Sequence, residues 1–442
     1  MEEYDVIVIG GGPAGFLASL LVKKRYGKRV LLIKKEEKTL IPCAIPYIPA
    51  TLKTIDKDFL PKGPLMDAGV EILVDEVIEI DRERKIILTT GGKTIKYEKL
   101  ILATGSIPSL PPIKGIELCI PIGKDYDSVK KLIEEISKAE SVTIIGGGPV
   151  GVEICEDLLN LGKKVRIIEV LPHILQTVFD TEFSLIVEEK LKREGVETIV
   201  NTKVKEVIEK DGKKVLILED GKEVKTDCVI VATGTRPNIE LAKKCGLETQ
   251  EAIKVDERMR TSDENIFAIG DCAEKKDFLT GKPKRVMLAS TACMEAVVAS
   301  ENLYEESDIK MKGVLGTFVT KFKDLVLGAT GYTETFAKRE KLDVISGSFE
   351  TMDKHPPSLP NSHPVKVKLT FTKEGRIIGG QIAGSFTTTH MINMISLLVE
   401  NNYSINDVLS MQFASQTWLT PAPTVFPIVR AALDAKQKLG MW

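Results

Sequence analysis

Continuous apolar runs that end in glycine mark the chain twice. Residues 5–9 (Asp-Val-Ile-Val-Ile) lead into Gly10-Gly11-Gly12-Pro13-Ala14-Gly15, and residues 141–145 (Ser-Val-Thr-Ile-Ile) lead into Gly146-Gly147-Gly148-Pro149-Val150-Gly151. After each loop, apolar residues recur at helical spacing over 16–24 and 152–161, a glycine follows (Gly27; Gly162), and a second apolar run comes at 29–33 or 164–168. Strand, tight turn, helix and strand in that order predict a βαβ unit, here in two copies. The uncharged stretch 6–22 is nearly long enough for a short membrane span, but Gly10, Gly11, Gly12, Pro13 and Gly15 interrupt it, so a strand, a loop and a helix are expected instead.

Two further runs match each other. Residues 100–108 (LILATGSIP) and 229–237 (VIVATGTRP) read as buried strands that end in Ala-Thr-Gly, each after a charged hairpin with its own glycine turn. Residues 261–274 contain a short strand that stops at Gly270-Asp271. Beyond about residue 310 the pattern changes to Thr- and Val-rich strands followed by helices from Thr389 onward, with no glycine loop, which predicts a separate α+β region.

Composition narrows the function. Lys and Arg number 61 against 63 Asp and Glu in 442 residues, so the net charge of −2 gives no basic excess to displace phosphate counterions, and nucleic acid is not expected as a partner. Acidic residues at Glu2, Glu3 and Asp5 stand where a secretory leader would carry positive charge, and the seven scattered cysteines contain no C-x-x-C. A cytoplasmic protein without structural disulfides, metal or membrane anchor is expected.

The glycine loops supply the first chemistry. In G-x-G-x-x-G one glycine makes the turn, one lets the backbone approach a pyrophosphate, one allows close packing of the helix, and the helix N-terminus faces the anion. Two copies imply two nucleotides. In the second unit Glu169 follows the second strand, where a carboxylate accepts from both ribose hydroxyls and repels a 2′-phosphate, so were the nucleotide a nicotinamide one, NADH would be favoured over NADPH. The same place in the first unit holds Ile33, Lys34 and Lys35, and the nearest carboxylate is Glu36, which is expected to reach back to the ribose.

The order of GGGPAG, a solitary Cys43, ATG, GGGPVG, a second ATG and VDERMRTSDENIFAIGDCAE resembles the FAD-dependent pyridine nucleotide-disulfide oxidoreductases over essentially the whole chain. The resemblance implies an α/β protein with two Rossmann-like dinucleotide-binding domains, one for FAD (1–113 and 253–312) and one for NAD(P)H (114–252), followed by a C-terminal α+β dimerisation domain (313–442) that makes a homodimer. It implies contacts to FAD from Gly10, Gly12, Pro13, Ala14, Gly15, Lys34, Glu36, Val77, Ala103, Thr104, Gly105, Gly270, Asp271 and Ala289. NADH contacts are implied for Gly146, Gly148, Pro149, Val150, Gly151, Glu169 and Gly234.

Cys43 lies in LIPCAIPYIPATL, where the family places its redox sulfur against the flavin. Dithiol members carry C-x-x-x-x-C, but the second position here is Ile48, so one cysteine acts and the other sulfur comes from substrate. Peroxidase and water-forming oxidase relatives resemble one another in a His within the first glycine loop, which this chain lacks. Pro42-Cys43-Ala44-Ile45-Pro46-Tyr47 is similar to the C-G-I/L-P-Y of the sulfur-reductase branch, with Ala44 in place of glycine. The C-terminal tyrosines of the coenzyme A disulfide reductases are replaced by Ser358 or Leu359 and by Phe413. The expected activity is therefore transfer of electrons from NADH through FAD and Cys43 to a disulfide, persulfide or polysulfide. The alternatives are an NADH oxidase that reduces O2 at the flavin and an electron-transfer subunit serving a redox protein partner through a surface containing Trp418 and Trp442.

Overall fold

The computed structural model describes residues 1–440, so Trp442 lies outside the described residues. The chain forms two compact units.

The first unit comprises Met1–Pro111, Ile120–Ala139 and Thr233–Val314. Its sheet runs in the order Glu71–Val74, Val30–Lys34, Glu2–Ile9, Thr94–Leu102, with Ile266–Ala268 beside the last strand. All of these pairs are parallel: Val6 stands opposite Val30, Ile9 opposite both Ile33 and Leu102, and Ile266 opposite Leu100. Val6, Ile7, Val8, Val30, Leu100, Ile101 and Leu102 are wholly buried, as a sheet covered on both faces requires. Helix Pro13–Tyr26 ends at Gly27, whose left-handed conformation lets its N–H return to Lys23 O. Residues 120–139 and 233–252, expected with the second nucleotide domain, cluster in this unit. Val129 is the physical reason for the former, since it packs in one apolar cluster with Leu40, Ile45, Ile48 and Ile55.

The second unit comprises Pro112–Cys119, Glu140–Ala232 and Leu315–Trp442. Strands Glu197–Ile199, Lys164–Ile168, Ser141–Ile145 and Cys228–Val231 repeat the parallel arrangement. The C-terminal part is a five-stranded antiparallel sheet of order Phe318–Phe322, Leu325–Gly331, Ile377–Gly384, Pro364–Thr372, Val344–Met352. Helices His390–Glu400 and Pro427–Lys438 accompany it. A buried cluster fastens this sheet to the nucleotide-type fold: Lys368 Nζ lies 2.8 Å from Asp180, 2.5 Å from Glu182 and 2.9 Å from Glu334, and Gln381 Nε2 donates to Asp180 at 2.7 Å. Among the described residues no helix is long and apolar enough to cross a membrane.

Candidate active site

The two glycine loops share one geometry. Gly10 has φ +115° and Gly146 φ +111°, both left-handed. Gly10 N–H donates to Ile33 O at 2.8 Å and Gly146 N–H to Ile168 O at 2.9 Å, which ties each loop to its second strand. A Cβ on Gly10 would stand 2.1 Å from Ala103 O, and one on Gly15 would stand 1.9 Å from Gly10 O, so no side chain fits at either place. Gly12 and Gly148, by contrast, face open space. They are the N-cap residues of helices Pro13–Tyr26 and Pro149–Asn160, and neither end has a side-chain cap. Proline at the first helical position leaves the next N–H groups aimed at that space. Each loop is thus closed on the protein side and open where a pyrophosphate would lie, which fits a dinucleotide in each unit.

In the first unit the structure brings Ala103, Thr104 and Gly105 to the loop: Ala103 N–H donates to Ile9 O at 2.8 Å, and Thr104 Oγ1 donates to Asn238 O at 2.7 Å. Val77 is buried in a hairpin opposite Thr89, and Ala289 opens helix Ala289–Glu301. Gly234, expected at the NADH site, belongs to the first unit, where its carbonyl accepts from Ser109 N–H at 2.9 Å.

Gly270-Asp271 is held from two directions. Asp271 accepts from Ser106 Oγ at 2.7 Å and from Lys124 Nζ at 2.8 Å; burial raises its pKa, but these two partners outweigh burial and leave it below the ordinary Asp value. Beneath the turn, Glu295 Oε2 accepts from Gly270 N–H at 2.7 Å, and Lys275 Nζ donates to Gly270 O and to Ala273 O. Sequence reasoning missed Ser106, Lys124, Lys275 and Glu295. Ser106 directly follows the Ala-Thr-Gly motif, which was the available signal; the other three have none in the chain.

The ribose ends of the two loops differ. Glu169 Oε2 accepts from Gly147 N–H at 2.6 Å, and its Oε1 accepts from Leu171 N–H at 2.8 Å, so the carboxylate is set against its loop. Lys34 takes the equivalent position in the first unit. Glu36, expected to reach back to the ribose, accepts at Oε2 from Tyr126 N–H at 3.1 Å, at the start of helix Tyr126–Lys138.

Cys43 sits on an exposed turn of the first unit. Ala44 N–H donates to Ile41 O and Tyr47 N–H to Ala44 O, both at 2.9 Å, and short 3-10 and π turns follow over Ile45–Tyr47 and Ile48–Leu52. Buried Leu40, Ile45 and Ile48 form the floor of this turn, and Leu60 N–H bonded to Thr39 O at 2.9 Å anchors its approach. Cys119, Cys155, Cys228 and Cys272 are buried, and Cys245 and Cys293 are half-buried. Burial pushes the Cys119 thiol up to about 11 and the Cys155 thiol up to about 12, which keeps them protonated and inert. In the C-terminal region Phe413 stacks on Phe426 with ring centroids 4.0 Å apart. No cluster of His, Cys, Asp or Glu that could hold a metal is found among the described residues.

Comparison with known proteins agrees with this geometry. Residues 4–296 match the model of the pyridine nucleotide-disulphide oxidoreductases, and residues 317–422 match that family's dimerisation domain. The chain is 31% identical over 451 residues to an NADH oxidase of Methanocaldococcus jannaschii, covering 98% of this chain and 99% of that protein. It is 34% identical over 396 residues to the NAD(P)H coenzyme A polysulfide/persulfide reductase of Pyrococcus horikoshii, covering 86% and 87%. Among solved structures, an NAD-dependent persulfide reductase from A. fulgidus superposes with a TM-score of 0.91 at 30% identity, over 98% of this chain and 84% of that one. The chain belongs to the pyridine nucleotide-disulphide oxidoreductase family.

Proposed function

We propose that the protein is an FAD-containing, NADH-dependent oxidoreductase that delivers electrons through Cys43 to a disulfide, persulfide or polysulfide. The observation that carries this reading is the exposure of Cys43, on a tied turn of the unit that bears the first glycine loop, while the other six cysteines are buried or half-buried. The first unit holds FAD through its loop and Asp271, and the second holds NADH through its loop and Glu169. FAD, when bound, supplies the two-electron relay from NADH to sulfur.

The Cys43 thiolate attacks one sulfur of the acceptor. An Sγ–S bond forms, the acceptor's S–S bond breaks, and the departing thiolate takes a proton from solvent. One electron pair, originating in NADH, cleaves the new S–S bond, releases the second sulfur as a thiolate that takes a proton from solvent, and restores the Cys43 thiolate. The names of the Pyrococcus and A. fulgidus relatives support a sulfur acceptor. The division into FAD, NAD(P)H and dimerisation domains, assembly as a homodimer through residues 317–422, and a cytoplasmic location complete the proposal.

The second reading is an NADH oxidase that reduces O2 directly, favoured by the name of the M. jannaschii relative. Steady-state assays of the parent and of Cys43→Ser with NADH against O2, coenzyme A disulfide and polysulfide separate the two. Sulfur reduction that vanishes in Cys43→Ser while peroxide-forming oxidation survives supports the sulfur reading. Sulfur reduction that persists in Cys43→Ser removes Cys43 from the mechanism.

A further inference from the structure

The two βαβ units correspond residue by residue in strand register at the ribose end. Ile9 stands opposite Ile33 and Gly10 binds Ile33 O; Ile145 stands opposite Ile168 and Gly146 binds Ile168 O. The next residues, Lys34 and Glu169, therefore occupy the same place with opposite charge. Lys34 is not a surface lysine, being 7% exposed. Its stem lies against the loop, so that a Cβ on Gly11 would come within 2.8 Å of Lys34 Cδ and 3.2 Å of Thr39 Oγ1. Its ammonium donates to Glu37 O at 2.9 Å and to Thr39 Oγ1 at 3.2 Å. Gly11, Lys34, Thr39 and Lys62 line one small cavity beside the loop, and Lys62 pairs with the Glu37 carboxylate.

A carboxylate at this place accepts from ribose hydroxyls, and an ammonium cannot. Lys34 gathers two acceptors beside the loop, the Glu37 carbonyl and the Thr39 hydroxyl, and Thr39 lines the cavity. Burial and the charge of Lys62 lower the pKa of Lys34, so the ammonium relies on these partners for its solvation. We propose that the first unit binds the adenosine ribose of FAD by an inverted scheme: Lys34 donates to one hydroxyl and fixes Thr39 Oγ1 and Glu37 O to accept from the other. The proposal rests on the reading that this unit binds FAD.

The test is FAD retention by the purified full-length protein after dilution, followed by bound-flavin absorbance, with thermal melting in parallel. FMN, which lacks the adenosine, is offered to flavin-stripped protein as a control. Lys34→Met is expected to release FAD about tenfold faster, the worth of one charge-assisted hydrogen bond. Lys34→Glu is expected to release it faster still, because the new carboxylate stands beside Glu36 and Glu37 and cannot donate to the Glu37 carbonyl. Lys34→Arg should return to within about threefold of the parent, and none of the changes should alter FMN binding. Retention by Lys34→Glu equal to or tighter than the parent overturns the proposal, as does equal loss of FMN and FAD. If the charge-removing variants do not melt cooperatively, Thr39→Val decides: faster FAD release at the parental melting temperature supports the scheme, and parental release overturns it. A parent protein that neither purifies with flavin nor takes it up refutes the FAD reading itself.

Discussion

Lys275 Nζ lies 3.1 Å from Glu295 Oε1, with side-chain exposures of 4% and 0%, and this ion pair grips both peptide groups of Gly270. Burial raises the Glu295 carboxyl to about 7 despite the adjacent lysine. Removing one member of such a pair costs more than the pair contributes, because a charge is left buried alone. Lys275→Met is expected to lose about 3–5 kcal/mol of stability at pH 8. The loss should shrink at pH 5, where Glu295 takes a proton and the uncompensated charge disappears. Urea unfolding at the two pH values checks this, and equal losses at both would contradict it. Lys275→Met with Glu295→Gln should recover much of the loss, since Gln still accepts from Gly270 N–H.

The Asp180–Lys368 cluster makes the second unit acid-sensitive. Burial alone would raise the Asp180 carboxyl, but Lys368 and Thr335 N–H bring it down to about 2 from an ordinary 3.8. A carboxyl depressed in the folded state contributes stability above its unfolded pKa and loses it as pH falls through the folded value. About 2 kcal/mol should therefore disappear between pH 4 and pH 2. Asp180→Asn should flatten that part of the stability profile; a parental slope in the variant would count against it. Lys368 is raised by its carboxylate partners against its own burial, so its contribution is present at neutral pH and fades only above the ordinary lysine range.

Glu169 should set the choice of nicotinamide nucleotide. Glu169→Ala removes the acceptor for the ribose hydroxyls and the charge that repels a 2′-phosphate. We expect kcat/KM to fall about tenfold for NADH and to hold or rise for NADPH. Paired steady-state kinetics measure this, and parallel loss with both nucleotides would show that Glu169 only stabilises the Gly147 loop.

Asp58 is 1% exposed, and among the described residues neither of its carboxyl oxygens has a hydrogen-bond partner. It lies beside the approach to Cys43, where Ile41 N–H donates to the Asp58 carbonyl at 3.3 Å. Burial raises its carboxyl to about 6, so ionisation costs stability as pH rises from about 4 to 6 and that cost persists above. Asp58→Asn is expected to stabilise the protein by about 1–2 kcal/mol at pH 8 and not at pH 4. Thermal melts at both pH values test it, and a gain at pH 4 alone would reverse the assignment.

The sequence by itself determined what depends on local sterics. Gly10 and Gly15 are demanded by backbone atoms within a few residues or in the adjoining strand, so the loops and both βαβ units were legible from spacing, while the family was legible as a resemblance carried by the order of the motifs. Cys43 was singled out by the resemblance, which places the family's redox sulfur at this distance after the first βαβ unit. Which side chains meet at Asp271 was decided only by the tertiary structure: Ser106 and Lys124 lie far away in the chain and arrive on separate elements, and no local pattern encodes that meeting. The same holds for Lys275 with Glu295, whose burial turns two ordinary surface-type residues into one ionic clamp. Glu36 shows the limit most directly. Its position in the chain pointed to the ribose, but only the fold brings Tyr126 N–H to one of its oxygens and sets the Lys34 stem beside the loop.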